Sequence, residues 1–138
     1  MPSVSLTPLS FTNQAYAEMI GNAYDGYPLE ACGLLVGKGA RVQRFVACTN
    51  EAASARVYTI PGKELLRADM AAEAEGLEII GVFHSHTHSE PYPSPTDVAQ
   101  APDPAWYYVI VSLKREAPEP RCYQIVDGTI SEVPISVG

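Results

Sequence analysis

The sequence predicts one α/β domain of the α+β type over residues 1–138, with a mostly antiparallel sheet flanked by two main helices and a short third helix. Three observations predict this class. Short apolar runs bounded by glycine or proline recur along the chain and are typical of strands. Two longer segments place their apolar residues at helical spacing instead. Asp127-Gly128 lies between two strand-like runs and indicates a two-residue hairpin, so neighbouring strands are expected to pair antiparallel.

The first half of the chain supplies a strand, a helix and a pair of strands. Residues 3–9 form the first predicted strand, and a helix is predicted over Thr12–Asp25 with Thr12 as its N-cap. The run CGLLVG at residues 32–37 is apolar throughout, as in a buried strand, and the turn GKGA leads back into VQRFVAC at residues 42–48. These two runs predict a second pair of adjacent strands.

The second half of the chain supplies another helix and most of the strands. The helix is predicted over Lys63–Glu75, after the breakers Pro61 and Gly62 and before Gly76. Its expected apolar side consists of Leu65, Leu66, Ala68, Met70 and Ala74. The remaining strands are predicted at residues 57–60, 78–84, 106–113, 121–126 and 129–135. No internal repeat, low-complexity tract or linker interrupts this order, so one domain is expected.

The charge pattern excludes two classes of partner. The net charge is −7 at pH 7, and the nine lysine and arginine residues are spread along the chain without a basic cluster. Neither nucleic acid nor an anionic membrane is therefore expected to bind. The acidity either keeps the protein soluble or suits a basic protein partner, and both interpretations stay open at this point.

The compartment is also predicted from simple patterns. The chain has no run of 18 or more apolar residues, as a membrane span would need, and its N-terminal residues lack the pattern of a secretory signal. The cytoplasm is therefore the expected compartment. The three cysteines, Cys32, Cys48 and Cys122, are widely spaced and form no CxxC pair. They are expected to be thiols packed as small hydrophobic side chains.

All three histidines lie within five positions of one stretch, HSHTHSEPYPSPTD at residues 84–97. Side chains at i and i+2 of a strand point to the same face, so His84 and His86 are expected to lie close enough to share one metal ion. Zinc binds imidazole nitrogen and carboxylate oxygen, and a catalytic zinc has three protein ligands and one open position. Asp97 is the candidate third ligand, whereas His88 is expected to be an exposed loop residue.

The tetrapeptide SPTD at residues 94–97 predicts the start of the short third helix. Ser94 is the expected N-cap, Pro95 the first helical residue, and Asp97 lies three residues past the cap. The same spacing caps helices in proteins with no metal nearby, and a His-x-His pair is often no more than two polar residues. The position of the histidines at the end of an apolar strand, with an acidic residue on the next helix, favours a metal site.

These residues resemble a known family. The pattern is similar to the JAMM motif of MPN+ (Mov34/PAD-1) zinc metallopeptidases, which reads H-[ST]-H-x7-S-x-x-D. In this chain His84-Ser85-His86 is followed by seven residues, Ser94, two further residues and Asp97. Upstream, PLEACGLLVG at residues 28–37 resembles the segment in which the family's catalytic glutamate begins a buried strand. Glu30 stands at that position among sixteen acidic residues, and its choice depends on the resemblance alone.

The resemblance implies a fold, a metal and a set of roles. It implies the cytidine-deaminase-like architecture of an MPN/JAMM domain and one zinc ion per chain, bound by His84, His86 and Asp97. Glu30 would hold the water and take its proton, and Ser94 would donate a hydrogen bond to the oxyanion of the tetrahedral intermediate.

The resemblance also implies a substrate class. MPN+ enzymes cleave the amide bond after the C-terminal Gly-Gly of ubiquitin-like proteins. Three stretches look like the actinobacterial Mec type, which removes cysteine from a ubiquitin-like sulfur-carrier protein. They are PLEACGLL, GVFHSHTHSEPYPSPTDV and CYQIVDGTISEVP. Two alternatives stay open: a deconjugase of ubiquitin-like protein–lysine bonds, and a non-catalytic MPN scaffold. A homodimer also stays open.

A Gly-Gly tail offers few side chains to grip, so backbone hydrogen bonds are expected to hold it. The run VYTI, comprising Val57, Tyr58, Thr59 and Ile60, is the candidate docking strand, because it is short, alternates and stops at Pro61 as edge strands often do. The alternative is that VYTI pairs on both sides inside the sheet and never meets the substrate.

Overall fold

The computed structural model describes residues 7–55, 57–101 and 103–138 of the chain. Three helices and eight strands lie within these ranges. In chain order they are β1 (Leu9–Phe11), α1 (Asn13–Gly26), β2 (Cys32–Lys38), β3 (Arg41–Cys48), α2 (Gly62–Ala74), β4 (Glu78–His86), α3 (Pro95–Ala99), β5 (Tyr107–Ser112), β6 (Glu119–Val126), β7 (Thr129–Val133) and β8 (Ile135–Val137).

The strands form one sheet in the order β7-β6-β5-β4-β2-β3-β1-β8. The pairs β2–β3, β2–β4, β5–β6 and β6–β7 are antiparallel, whereas β4–β5, β1–β3 and β1–β8 are parallel. The predicted mostly antiparallel sheet with two main helices and a short third one is therefore confirmed. Because parallel neighbours need a crossover connection, the chain leaves the end of β4, passes through α3 and returns to the start of β5.

The two main helices cover opposite faces of the sheet. Helix α1 buries Ala15, Met19 and Ala23 in one core cluster, which also contains Phe83 of β4. Helix α2 lies over the second cluster, which contains Val82 of β4. Side chains alternate along a strand. His84 and His86 therefore lie on the same face of β4 as Val82, which is the face that α2 covers.

Helix α1 begins as predicted. The Thr12 hydroxyl accepts a hydrogen bond from the Ala15 N–H at 3.1 Å, which satisfies one of the free donors of the first turn. The apolar side predicted for α2 is confirmed at Ala68 and wrong at Leu66 and Met70. The buried residues of α2 are Ala68 and Ala72, while Leu66 and Met70 are 60% and 63% exposed. Two alanines let the helix lie close to the sheet, and its larger apolar side chains face away from the core.

Three predicted strands differ from the structure. Of the strand predicted at residues 3–9, residues 1–6 lie outside the described residues, and β1 spans Leu9–Phe11. The strand predicted at residues 129–135 is divided into β7 and β8 by Pro134, which has no N–H for a ladder. The predicted turn between β6 and β7 is confirmed, with positive φ at Asp127 (50°) and Gly128 (77°).

Residues 57–60 form no strand, so the prediction of an edge strand there is wrong. The two edges of the sheet are β7 and β8. Residues 57–60 instead belong to the connection between β3 and α2, and the backbone of Thr59 binds Asn50 and Glu51 of the same connection. Local alternation of side chains predicted extended backbone, but tertiary packing left no neighbouring strand for it.

The described helices include none with the length and hydropathy of a membrane span. The three cysteines are free thiols, as predicted, with Cys32 and Cys122 buried and Cys48 partly buried.

Candidate active site

The two motif histidines, His84 and His86, lie at alternate positions at the C-terminal end of β4. His84 pairs with Cys32 of β2 on one side and with Ile110 of β5 on the other. Both imidazoles are nearly inaccessible, at 2% and 4% exposure, and their Nε2 atoms lie 3.1 Å apart. The predicted convergence of His84 and His86 on one face of the strand is therefore observed, and two neighbouring strands hold it.

Asp97 is brought to the histidines by the N-terminus of α3. Ser94 Oγ accepts a hydrogen bond from the Asp97 N–H at 3.1 Å, and Asp97 Oδ2 accepts one from the Ser94 N–H at 2.8 Å. This reciprocal capping box fixes the carboxylate. The same Oδ2 atom lies 3.2 Å from the Nε2 atoms of both His84 and His86.

We call His84, His86 and Asp97 the metal corner, and its geometry fits zinc. The three ligand atoms form a triangle with sides of 3.1, 3.2 and 3.2 Å. Zinc bonds of about 2.0–2.1 Å in a tetrahedron give ligand–ligand edges of about 3.3–3.4 Å. A donor set of two imidazoles and one carboxylate is also one that zinc prefers. Among the described residues this trio is the one group with metal-ligand spacing, and it does not include His88.

The second nitrogen of each imidazole decides how the ring is held. His86 Nδ1 lies 2.8 Å from the Glu90 carbonyl oxygen. A carbonyl only accepts, so Nδ1 carries a hydrogen, and the neutral form of the ring has its lone pair on Nε2, as metal binding requires. His84 Nδ1 is buried and has no hydrogen-bond partner among the described residues. The ring of His84 instead stacks on that of Tyr58, with centroids 4.4 Å apart and an interplanar angle of 20°.

Residues outside the motif hold the loop that carries the Glu90 carbonyl. Buried Ser112 of β5 donates a hydrogen bond from Oγ to the Ser89 carbonyl oxygen at 2.5 Å. Buried Tyr123 of β6 donates one from its hydroxyl to the Pro91 carbonyl oxygen. Sequence reasoning missed both residues, because each lies more than twenty positions from its partner and belongs to an ordinary strand pattern.

The exposed side of the same loop carries a charge cluster. The Glu90 carboxylate accepts hydrogen bonds from Lys114 at 3.0 Å and from Arg115 at 2.5 and 3.0 Å. The hydrogen bonds from Arg115 and then Lys114 hold the pKa of Glu90 at about 2, well below its usual value. All three side chains are exposed, so the cluster ties the loop down weakly compared with the buried hydrogen bonds of Ser112 and Tyr123.

Glu30 lies beside the metal corner and is 4% exposed. It shares a cleft of about 480 Å³ with Ala55, His86, His88, Ser89 and Ser94. Its Oε1 atom is buried without a hydrogen-bond partner among the described residues. Burial raises the pKa of the Glu30 carboxyl to about 7, with the charges of His86 and Asp97 acting in opposite directions. A carboxyl group with a pKa near neutrality can gain and lose a proton near pH 7, which is what a general base must do.

The charges of the metal corner are set by burial and by contact between its members. Burial opposes the charge on Asp97, but hydrogen bonds from His84 and His86 hold the pKa of this carboxyl below its usual range. Burial lowers the pKa of His84. Burial also acts to lower the pKa of His86, but the hydrogen bond to Asp97 raises it overall. A charged carboxylate beside a neutral imidazole is the state that metal binding needs.

Ser85, between the two histidines, points to the opposite face and fixes the segment of Glu30. Its Oγ accepts a hydrogen bond from the Ala31 N–H at 2.8 Å, and its own N–H donates to the Ala31 carbonyl oxygen at 3.0 Å. The residue next to Glu30 is therefore tied to the strand that carries both histidines.

The predicted docking residues lie partly at the site. Tyr58 contacts the metal corner through its stack on His84. Val57 and Thr59 are tied to Asn50, and Ile60 packs against the core cluster under α2. His88 is exposed, as predicted, and its Nδ1 is bonded to the Thr87 hydroxyl at 2.9 Å.

Sequence comparison finds a family and individual proteins that match most of the chain. The profile of the prokaryotic homologs of the JAB domain matches residues 12–126. A protein of Mycobacterium tuberculosis named CysO-cysteine peptidase is 38% identical over 122 residues, which cover 86% of this chain and 84% of the relative. A desampylase of Pyrococcus furiosus is 35% identical over 102 residues, which cover 71% and 73% of the two chains.

Solved structures share the fold. A Desulfitobacterium hafniense protein superimposes with a TM-score of 0.82 at 30% identity, over 94% of this chain and 92% of its own. A JAB1/MPN domain protein from Archaeoglobus fulgidus gives a TM-score of 0.65 at 17% identity, over 96% and 99% of the two chains. The sheet order and the three helices described above are thus those of a known domain architecture.

Proposed function

Since the chain belongs to the family of prokaryotic homologs of the JAB domain, we propose that it is a zinc-dependent peptidase. It hydrolyses the amide bond after the C-terminal Gly-Gly of a ubiquitin-like sulfur-carrier protein and releases cysteine, in the cytoplasm. The observation that carries this proposal is the metal corner, a triangle of ligand atoms with sides of 3.1–3.2 Å beside the buried carboxyl group of Glu30, whose Oε1 atom has no hydrogen-bond partner among the described residues. The CysO-cysteine peptidase relative supports the choice of substrate.

His84, His86 and Asp97 would hold one zinc ion through Nε2, Nε2 and Oδ2. When bound, zinc supplies Lewis acidity, which lowers the pKa of a coordinated water to about 7 and polarises the substrate carbonyl. Glu30 accepts the proton of the attacking water and returns it to the leaving amine. Burial raises the pKa of Glu30 to about 7 in the metal-free protein, which favours uptake of a proton by this carboxylate.

Ser94 is the donor to the oxyanion of the tetrahedral intermediate. Its Oγ accepts the hydrogen bond from the Asp97 N–H, which uses a lone pair and leaves the hydroxyl hydrogen available. Ser94 lines the same cleft as Glu30 and His86. One such donor contributes on the order of 3 kcal/mol of transition-state stabilisation.

Val57, Tyr58, Thr59 and Ile60 hold the flexible tail of the carrier protein. The peptide groups of Val57 and Thr59 bind Asn50, Ser54 and Glu51. Among the described residues, no hydrogen bond uses the backbone N–H or C=O of Tyr58 or Ile60. This alternation is typical of extended backbone with one free side, and an added tail strand would pair there.

A second candidate function is cleavage of ubiquitin-like protein–lysine bonds, favoured by the 35% identity to a desampylase. The test uses the zinc-loaded protein and a carrier protein ending in Gly-Gly, joined either to cysteine or through the lysine side chain of a peptide. Mass spectrometry follows the loss of each group. We expect cysteine to be released faster. Faster release of the lysine peptide would favour the second function.

The third alternative is a scaffold without activity. A zinc-loaded protein that cleaves neither adduct would overturn both enzymatic proposals. A protein purified without chelators that holds no zinc and gains no activity on adding zinc would favour the scaffold. The presence of all three ligand residues argues against this outcome.

A further inference from the structure

The connection of residues 49–60, here called loop 49–60, has no helix or strand among its described residues, yet it touches both Glu30 and the metal corner. Glu30 precedes β2, which begins at Cys32, so no sheet ladder holds its peptide groups. Loop 49–60 takes over this task. The Glu30 N–H donates to the Ser54 carbonyl oxygen at 2.8 Å, and the Glu30 carbonyl accepts from Asn50 Nδ2 at 3.0 Å.

The side-chain amide of Asn50 organises the whole loop. Its Nδ2 group donates to the carbonyl oxygens of Glu30, Ser54 and Val57 at 3.0, 3.3 and 3.0 Å. Its Oδ1 atom accepts from the N–H groups of Ala52 and Thr59 at 3.1 and 3.0 Å. A carboxamide has two hydrogens and two lone pairs, so the three carbonyl oxygens share two hydrogens and the two N–H groups occupy both lone pairs. Asparagine supplies both the donors for the three carbonyl oxygens and the acceptor for the two backbone N–H groups.

Two of these hydrogen bonds flank the residue that contacts the metal corner. Asn50 binds the backbone of Val57 and Thr59, on either side of Tyr58, and the Tyr58 ring stacks on His84. Because His84 Nδ1 has no hydrogen-bond partner among the described residues, the stack on Tyr58 takes the place of the usual second hydrogen bond of a metal-binding imidazole. Asn50 thus reaches His84 through Tyr58 and reaches Glu30 directly.

We propose that Asn50 is a positioning residue that sets the Glu30 carboxylate and the His84 imidazole relative to each other. It touches neither the metal nor the reacting atoms and acts through the backbone of Glu30 and the ring of Tyr58. Its kinetic consequence depends on the proposed peptidase function. Its structural consequence can be measured in the metal-free protein and does not depend on that function.

The experiment compares Asn50→Ala and Asn50→Asp with a matched control, Asn22→Ala. Asn22 of α1 also donates from its amide to a backbone carbonyl of the same segment, that of Cys32 at 3.4 Å, but forms no hydrogen bond with the described residues of loop 49–60. Asn50→Asp keeps the acceptor for Ala52 and Thr59 and loses the donor for the three carbonyls. It is the more conservative variant and replaces Asn50→Ala if the latter does not fold.

Nuclear magnetic resonance of the metal-free proteins reports the structural part. The Tyr58 ring shifts the resonances of the stacked His84 ring, and the Thr59 amide is protected from hydrogen exchange by Asn50. We expect Asn50→Ala to lose the His84 ring shift and to speed exchange of the Thr59 amide at least ~10-fold, which corresponds to about 1.4 kcal/mol. Asn22→Ala should change neither. Folded Asn50 variants that both keep the His84 shift would overturn the proposal.

Steady-state kinetics of the zinc-loaded proteins report the functional part. Asn50→Ala and Asn50→Asp should each lower kcat for the carrier–cysteine adduct at least ~10-fold, because both release the Glu30 carbonyl, while Asn22→Ala keeps kcat within twofold. A His84 shift that is lost while kcat stays unchanged would overturn the positioning role. An inactive wild-type protein would refute the peptidase function and leave the magnetic-resonance result to decide the structural part.

Discussion

The metal corner and loop 49–60 meet at one site but are held in different ways. His84 and His86 lie on a central strand with neighbours on both sides, and Asp97 lies in a capping box. The described residues of loop 49–60 belong to no ladder; four hydrogen bonds of Asn50 lie within the loop, and a fifth joins Asn50 to Glu30. The histidines are buried, whereas much of the loop is exposed.

This difference separates two tasks. Regular structure gives the backbone of the metal corner a geometry that depends on many hydrogen bonds, so single changes outside the ligands should leave that backbone intact. The loop depends on few side chains, and its Ala55 lines the cleft beside Glu30. Changes in the metal corner are therefore expected to remove the reaction altogether, while changes in the loop are expected to alter rates and substrate affinity.

The largest expected effect follows removal of a ligand. His84→Ala should lose zinc and all measurable peptidase activity, because two protein ligands cannot hold a catalytic zinc. Elemental analysis and the adduct assay check this. His88→Ala is the matched control and should keep its zinc, since His88 lies outside the ligand trio. Loss of zinc from His88→Ala would contradict the ligand assignment.

Glu30→Gln tests the base without disturbing the ligands. The variant keeps the size of the side chain and removes its basicity, so zinc should stay bound while kcat falls at least ~10²-fold. Metal content and steady-state rates are measured on the same samples. Near-full turnover would show that another group accepts the proton.

Ser94→Ala removes the proposed oxyanion donor and a helix cap together. We expect kcat to fall about 10²-fold and the free energy of unfolding to fall by about 1 kcal/mol, because the Asp97 N–H loses its acceptor. Rates and denaturant unfolding separate the two effects. An unchanged kcat in a destabilised protein would leave Ser94 as a cap only.

Burial of Glu30 predicts a pH-dependent cost in the metal-free protein. The pKa of Glu30 is raised from 4.5 to about 7, so between these values the folded chain holds a proton that the unfolded chain has lost. The free energy of unfolding should therefore fall as the pH rises through this window. Glu30→Gln should remove this contribution and, at pH 8, stabilise the metal-free protein by on the order of 1–2 kcal/mol. Urea unfolding at pH 5 and pH 8 in chelator measures it, and equal pH dependence of both proteins would refute it.

The smallest expected effect concerns the tail contact of loop 49–60. Ile60→Pro removes a backbone donor that no described residue uses, and should raise KM for the adduct about 3–10-fold, the equivalent of one hydrogen bond, with kcat and zinc unchanged. Thr59→Pro is a less specific test, because the Thr59 N–H binds Asn50. An unchanged KM in folded Ile60→Pro would exclude this donor from tail binding.

Much of the metal corner could be predicted from the sequence, because its signals are local. Alternation within β4 placed His84 and His86 on one face, and the pattern of residues 94–97 predicted the N-cap of α3 at Ser94. The N-cap of α1 at Thr12 and the turn at Asp127-Gly128 were predicted in the same way. Each signal extends over two to four residues, so the chain itself determines it wherever the segment packs.

Tertiary structure decided the rest. Residue chemistry alone did not distinguish Glu30 from the other acidic residues, since its burial and its position beside His86 come from packing. Most of the apolar side of α2 and the edge strand at residues 57–60 were predicted wrongly from local patterns. Asn50 lies 20 residues from Glu30, and Ala31 lies 54 residues from Ser85. Hydrogen bonds over such separations leave no periodic pattern in a sequence, because the chain between the partners sets neither their distance nor their direction until the sheet has formed.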